Sequence, residues 1–107
     1  MEEFAHIELE LRKDVKEGDK ESLLSLFSDV ERYKHIAVLR DAEEDTTIKV
    51  MIEGLGEADL KLGNDVEKGK RKNIMTLFWY SERSRNFEIK GAAKAGDSAA
   101  IKMFVIS

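Results

Sequence analysis

The stretch from Asp19 to Lys34, DKESLLSLFSDVERYK, decides the fold prediction, because it carries the clearest periodic pattern in the chain. Asp19 can cap a first helical turn through its carboxylate, and Gly18 precedes it as a break. Six apolar side chains recur at the spacing of one helix face: Leu23, Leu24, Leu26, Phe27, Val30 and Tyr33. We therefore expect an amphipathic helix over residues 19–34.

The segments on either side of this helix carry strand patterns instead. Apolar and polar residues alternate from Phe4 to Arg12 with a period of two, which is typical of a half-buried strand. After the helix, the runs HIAVLRD and TTIKVMIEG are separated by AEED and predict a hairpin. The short segment ADLKLGN is an optional further strand. The last strands are predicted at Ile74 to Ser81, Phe87 to Ala93 and Ile101 to Ile106.

A strand, a helix and then consecutive strands form an α+β pattern, since the strands do not alternate with helices. The simplest architecture is one N-terminal amphipathic helix packed on a curved, mainly antiparallel sheet of five to six strands, a helix-grip-like topology. Residues 1–107 are predicted to form a single α+β domain, because no linker interrupts them. No internal repeat at a fixed period is apparent, so a repeated architecture is not expected.

Composition narrows the class of protein. The chain has no cysteine, which excludes disulfides, a thiol nucleophile and zinc sites built on thiolates. No apolar stretch approaches the roughly 18 residues of a membrane-spanning helix. The N-terminus is acidic and lacks the apolar run of a secretion signal. We expect a cytoplasmic protein that needs no cofactor and no membrane.

Charge is distributed unevenly along the chain, whose net charge is -4. Residues 1–54 hold 8 Lys and Arg against 15 Asp and Glu, whereas residues 55–107 hold 10 against 7. Such asymmetry is typical of a molecule with an acidic and a basic face, or of self-complementary halves in an oligomer.

The most basic segment runs from Lys68 to Phe87, KGKRKNIMTLFWYSERSRNF. Its cations could neutralise phosphates, and its aromatic side chains could stack on the bases of a single strand. A solvated turn ahead of a buried strand is the competing interpretation. The candidate nucleic-acid-binding residues are Lys68, Lys70, Arg71, Lys72, Trp79, Tyr80, Arg83 and Arg85.

The apolar run that follows the cations suggests a second surface. As a strand, Ile74 to Tyr80 would be apolar on both faces, and an apolar outer face has to be covered. A protein partner or a second copy could cover it, and loops of a monomer are the alternative. The predicted interface residues are Met51, Met75, Leu77, Trp79, Phe104 and Ile106.

The remaining polar clusters favour structural roles. An acidic turn could hold a calcium ion but lacks the spacing of a known calcium loop, so a solvated turn is favoured. Its carboxylates are Asp41, Glu43, Glu44 and Asp45. His6 and His35 have no matched nucleophile in sequence, and Gly54 to Gly56 is read as a plain turn.

Together these patterns predict a small non-enzymatic domain that binds a protein or forms homo-oligomers through an apolar outer sheet face. Single-strand nucleic-acid binding through residues 68–85 is the alternative. Catalysis is not predicted, because no arrangement of nucleophile, acid and base is visible.

Overall fold

The computed structural model describes residues 2–27, 35–78 and 87–106 as a mainly β structure. Within these three ranges, eight strands, a 3-10 turn and one short helix follow each other. The strands are β1 (Glu2–Glu10), β2 (Lys20–Glu21), β3 (His35–Ala37), β4 (Thr47–Ile52), β5 (Gly56–Lys61), β6 (Arg71–Asn73), β7 (Phe87–Glu88) and β8 (Ser98–Val105). The 3-10 turn is Leu23–Leu26, and α1 is Ile74–Leu77.

The predicted helix over residues 19–34 is wrong within the described part of the chain, and with it the α+β class. Lys20–Glu21 is a strand, and Leu23–Leu26 forms a single 3-10 turn. The chain leaves this turn at Phe27, which is extended and bridges to Leu11. The helical spacing of the apolar residues therefore corresponds to a single turn, which buries Leu23 and Leu26. On either side of this turn, strand pairing overrides the helix propensity of the sequence. Residues 28–34 lie outside the described residues.

The predicted strand from Ile74 to Ser81 is also wrong where the structure describes it. Ile74–Leu77 is a helical turn, and the side chain of Asn73 caps it by accepting a 2.8 Å hydrogen bond from the Met75 amide. Asparagine is a favoured N-cap because its side-chain oxygen satisfies an otherwise unpaired amide. Residues 79–86 lie outside the described residues.

The prediction of an antiparallel sheet is confirmed, although its connections differ from those expected. Four strands form one sheet in the order β1-β8-β4-β5, and two short ribbons join β2 with β7 and β3 with β6. The two runs expected to form a hairpin are not neighbours, since β3 pairs with β6 while β4 lies between β8 and β5. Long-range pairing thus replaces the predicted meander.

An internal repeat is present, contrary to the expectation from sequence. When the sequence is aligned with itself at an offset of 51 residues, the elements of the first half match those of the second half in order. β1 aligns with β5, β2 with β6, the 3-10 turn with α1, β3 with β7 and β4 with β8. Identical residues fall at several of these positions. They include Leu9 and Leu60, Leu11 and Leu62, Asp14 and Asp65, Val15 and Val66, Gly18 and Gly69, Leu26 and Leu77, and Phe27 and Phe78.

The repeat extends to the hydrogen bonds. The Gly18 amide donates to the Ile89 carbonyl at 2.7 Å, and its equivalent Gly69 donates to Val38 at 2.9 Å. Two side-chain bonds are repeated as well. Asp14 accepts from the Ala95 amide at 2.8 Å, and Asp65 accepts from the Glu44 amide at 2.7 Å. The two halves are therefore related by a pseudo-two-fold axis.

The axis passes between β4 and β8, where Met51 pairs with Lys102, its own equivalent. Every ladder between named strands joins the first half, residues 2–53, to the second half, residues 54–106. The core lies between the sheet and the ribbons. It is closed at the sheet edges by the bonds Leu39 N–H to Phe4 carbonyl and Lys90 N–H to Leu55 carbonyl.

Gly91 should be intolerant of a side chain, because a β-carbon there would lie 2.1 Å from the Gly54 carbonyl oxygen. We expect Gly91→Ala to lower the free energy of unfolding by about 2–3 kcal/mol through overpacking against rigid backbone. Gly18→Ala is the control. A β-carbon at Gly18 meets nothing within 4 Å, so only its φ of +91° opposes the change, at a cost of about 1 kcal/mol. Equal losses in urea unfolding would contradict the close approach.

Candidate functional site

The cations of residues 68–72 lie on the β3–β6 ribbon and on the turn that leads into it. We call residues 35–40 and 67–73 the basic ribbon. Lys68, Lys70 and Arg71 are exposed, and Lys72 is half-buried. Arg71 lies opposite Ala37 on the outer side, whereas Lys72 lies opposite the buried Ile36. Residues 68–72 therefore present three cations to solvent and a fourth along the inner row of the ribbon.

Backbone hydrogen bonds hold the turn of the basic ribbon in place. Gly69 adopts a φ of +86°, a left-handed conformation that glycine takes without strain. The Lys68 amide donates to the carboxylate of Asp41 at 2.6 Å. The Val38 amide donates to the Lys70 carbonyl at 2.9 Å. Because these bonds use the backbone, the three lysine and arginine side chains of the outer surface remain available to a ligand.

The pseudo-two-fold axis places a second ribbon, residues 16–21 and 87–91, in the same local structure; we call it the counterpart ribbon. Four positions differ in sign of charge. Glu17, Asp19 and Glu21 of the counterpart ribbon are replaced by Lys68, Lys70 and Lys72 in the basic ribbon, whereas Lys16 is replaced by Glu67. Both turns make the same backbone hydrogen bonds, and in the counterpart ribbon the Asp19 carboxylate also accepts from the Lys16 amide at 3.2 Å.

The two ribbons also differ in their ion pairs. On the counterpart ribbon, Glu21 pairs with Lys13 at 2.8 Å, and Glu88 pairs with Lys90 at 3.1 Å. On the basic ribbon, the residue equivalent to Lys13 is the neutral Asn64. No carboxylate within the described ranges forms an ion pair with any of the four cations of residues 68–72. The basic ribbon therefore carries an unbalanced positive charge there.

The acidic turn, residues 41–45, is hydrogen-bonded to residues 65–68. Asp41 accepts the Lys68 amide, and the backbone amide of Glu44 donates to Asp65. Within residues 2–27, 35–78 and 87–106, no group of three or more His, Asp or Glu side chains could hold a metal ion. Asp41 therefore caps the turn of the basic ribbon.

The outer face of the four-stranded sheet carries only part of the predicted interface. Met51 is 36% exposed, and Phe104 and Ile106 are half-buried. Leu77 is 1% exposed and belongs to the core, and Met75 packs against the core from α1. The structure therefore brings together three of the six predicted residues at or beside this face: Met51, Phe104 and Ile106. Trp79 lies outside the described residues.

Charged side chains border this apolar strip. Lys49 lies opposite Phe104, and Lys102 lies opposite Met51, so two cations stand among the apolar residues. Lys49 reaches Glu57 at 3.5 Å and Asp59 at 3.9 Å on the neighbouring strand. The face is thus amphipathic, with a small apolar centre.

The other candidate residues of the sequence fall in separate places. His6 is exposed on β1 and contacts Glu3 at 3.1 Å, whereas His35 is exposed on β3, at the end of the basic ribbon. Gly54 lies in the tight turn from β4 to β5, so the prediction of a plain turn is confirmed. Tyr80, Arg83 and Arg85 lie outside the described residues.

Sequence reasoning missed the part of the ribbon contributed by β3. His35 pairs with Asn73, and Leu39, which follows β3, is 40% exposed beside the cations. The available signal was the pattern Asp-Val-x-x-Gly at residues 14–18 and 65–69, which marks the repeat and hence the strand pairing.

Comparison with family models, with curated proteins and with solved structures finds no match to this chain. Within the described ranges, no helix has the length and apolar character needed to span a membrane.

Asp41→Ala should loosen the basic turn, because it removes the acceptor of the Lys68 amide. We expect the free energy of unfolding to fall by about 1 kcal/mol. Glu43→Ala removes the same charge from an exposed neighbour and should change stability little. Thermal unfolding of both variants, with and without calcium, measures the difference. A calcium-dependent rise in Tm that Asp41→Ala abolishes would instead indicate a cation site.

Proposed function

We propose that this chain is a small non-enzymatic binding domain that holds single-stranded nucleic acid by its phosphates, through the basic ribbon. The observation that carries the proposal is the reversal of charge between two ribbons of the same fold. Three acidic positions of the counterpart ribbon are Lys68, Lys70 and Lys72 in the basic ribbon. The resulting positive charge lies at exposed positions of the basic ribbon, where it suits an anionic ligand.

The arrangement of these cations favours a polyanion over a single small anion. Lys68, Lys70 and Arg71 are exposed along an extended strand and its turn. Lys68 and Lys70 lie in the turn and Arg71 begins the strand, so the three exposed charges are clustered within four residues. A cluster of cations can release several counterions from a phosphate backbone, which is the main source of sequence-independent affinity.

Phosphates are favoured over an acidic protein because the ribbon offers few apolar contacts. Leu39 is its one large apolar side chain that is well exposed within the described residues. Protein interfaces usually have an apolar centre, whereas nucleic-acid interfaces are polar and strongly positive. A cytoplasmic location is part of this proposal, since a chain without cysteine suits a reducing compartment.

Charge reversal on the basic ribbon should weaken this binding. We expect Lys70→Glu with Arg71→Glu to lower the affinity for a labelled single-stranded oligonucleotide by roughly 10-fold or more. The matched control is Lys16→Glu with Lys20→Glu on the counterpart ribbon. It makes the same change in net charge at exposed positions, and should alter affinity by only about twofold.

Salt dependence gives a second readout of the same experiment. Three phosphate contacts, one for each exposed cation, predict a slope of about −2 for log affinity against log salt concentration on a single strand. Duplex DNA and an acidic polypeptide serve as competitors. Equal losses for the two double variants, or a preference for the acidic polypeptide, would contradict nucleic-acid binding through this ribbon.

Self-association through the outer sheet face is the second candidate, and the exposure of Met51 supports it. Met51 and Leu39 are the large apolar side chains that are well exposed in the described part of the chain. Met51 lies on the pseudo-two-fold axis, beside Phe104 and Lys102. An apolar strip at the centre of a sheet can pair with the same strip of a second copy about a two-fold axis.

Met51→Glu should abolish any concentration-dependent association of the native protein, because it places a carboxylate in the centre of this strip. Leu39→Glu introduces the same charge at the other exposed apolar position and should leave association unchanged. Sedimentation velocity over a range of concentrations measures both. A native protein that stays monomeric throughout would remove the sheet face as an interface.

A further inference from the structure

We propose that this chain exchanges whole halves with a second copy of itself to form a two-fold dimer. Each copy would contribute residues 2–53 to one folded unit and residues 54–106 to the other. The inference depends on strand pairing and is independent of any ligand.

The strand ladders make each half the natural partner of the other. β1 pairs with β8, β2 with β7, β3 with β6, and β4 with both β5 and β8. All five ladders cross between the halves. Within the described residues no ladder of named strands lies inside one half. A half therefore has unpaired strand edges until it meets the complementary half, and this half can come from the same chain or from another copy.

The connection between the halves is a short turn. Residues 53–55 reverse the chain between β4 and β5, with Gly54 at a φ of +80° and Gly56 at +143°. If the turn opens, β4 and β5 of one chain can separate and pair with the corresponding strands of a second chain. Short turns that require such conformations are the usual hinges of strand exchange.

Chain concentration decides between the closed monomer and the exchanged dimer. A short linker holds its two ends at an effective concentration on the order of millimolar. The closed monomer is therefore favoured when the chain folds from dilute solution. Exchange needs unfolding, so the dimer forms during refolding at high concentration and persists after dilution.

Exchange also affects the basic ribbon, because its two strands come from different halves. In the dimer, β3 of one copy would face β6 of the other, so each basic ribbon would be shared between copies. Two such ribbons on one particle would bind a long anionic strand with avidity. This consequence rests on the proposed function, whereas the dimer itself does not.

Gly54→Val tests the hinge in the full-length chain. A β-carbon at Gly54 meets nothing within 4 Å, so the substitution strains only the left-handed turn. Opening the turn relieves that strain in both chains of a dimer, which should lower the dimer dissociation constant by roughly 30-fold or more. Gly18→Val is the matched control, with a φ of +91° and open space in a turn that exchange leaves closed.

Each protein is refolded at micromolar and at near-millimolar concentration, diluted, and separated by size. The expected result is a dimer that increases with refolding concentration, persists after dilution and is most abundant for Gly54→Val. A monomer at every concentration for both wild type and Gly54→Val would overturn the proposal. So would a dimer of these two proteins that disappears on dilution, or one that Gly18→Val promotes equally.

Discussion

The antiparallel pairing of each half with the other is the constraint on which the rest of this structure depends. β4 and β8 meet at the pseudo-two-fold axis, and β1 and β5 complete the sheet from opposite halves. Because the ladders cross, the core can form only when both halves are present. The short ribbons are held at the sheet edges by the same arrangement, through the amides of Leu39 and Lys90.

The proposed binding surface is inferred from a backbone that is symmetric and a surface charge that is not. Gly18 and Gly69 keep equivalent turns in place, and the buried apolar positions around them are retained. The exposed positions are not under that constraint, so Glu17 and Lys68 can carry opposite charges on equivalent turns. The residues that the two halves share support folding, and the charges that differ between the halves are the basis of the proposed binding surface.

Strands β1 and β4 could be predicted from the sequence because one face of each is buried, so that apolar and polar side chains alternate along them. The helix prediction failed from Asp19 to Phe27, because the helical spacing of Leu23 and Leu26 also fits one turn between paired segments. The repeat was missed because the halves share mainly apolar and turn residues. The cations were identified from composition, but their partner strand β3 depends on long-range pairing that local patterns do not encode.

Cleavage of the turn at residues 53–55 tests the central claim most directly. A protease site placed in this turn of the full-length protein would allow the folded chain to be cut between its halves. The account predicts that the two fragments remain together as one particle of unchanged size and unfold in a single cooperative transition in urea. Separation of the fragments without denaturant, or two independent unfolding transitions, would contradict it.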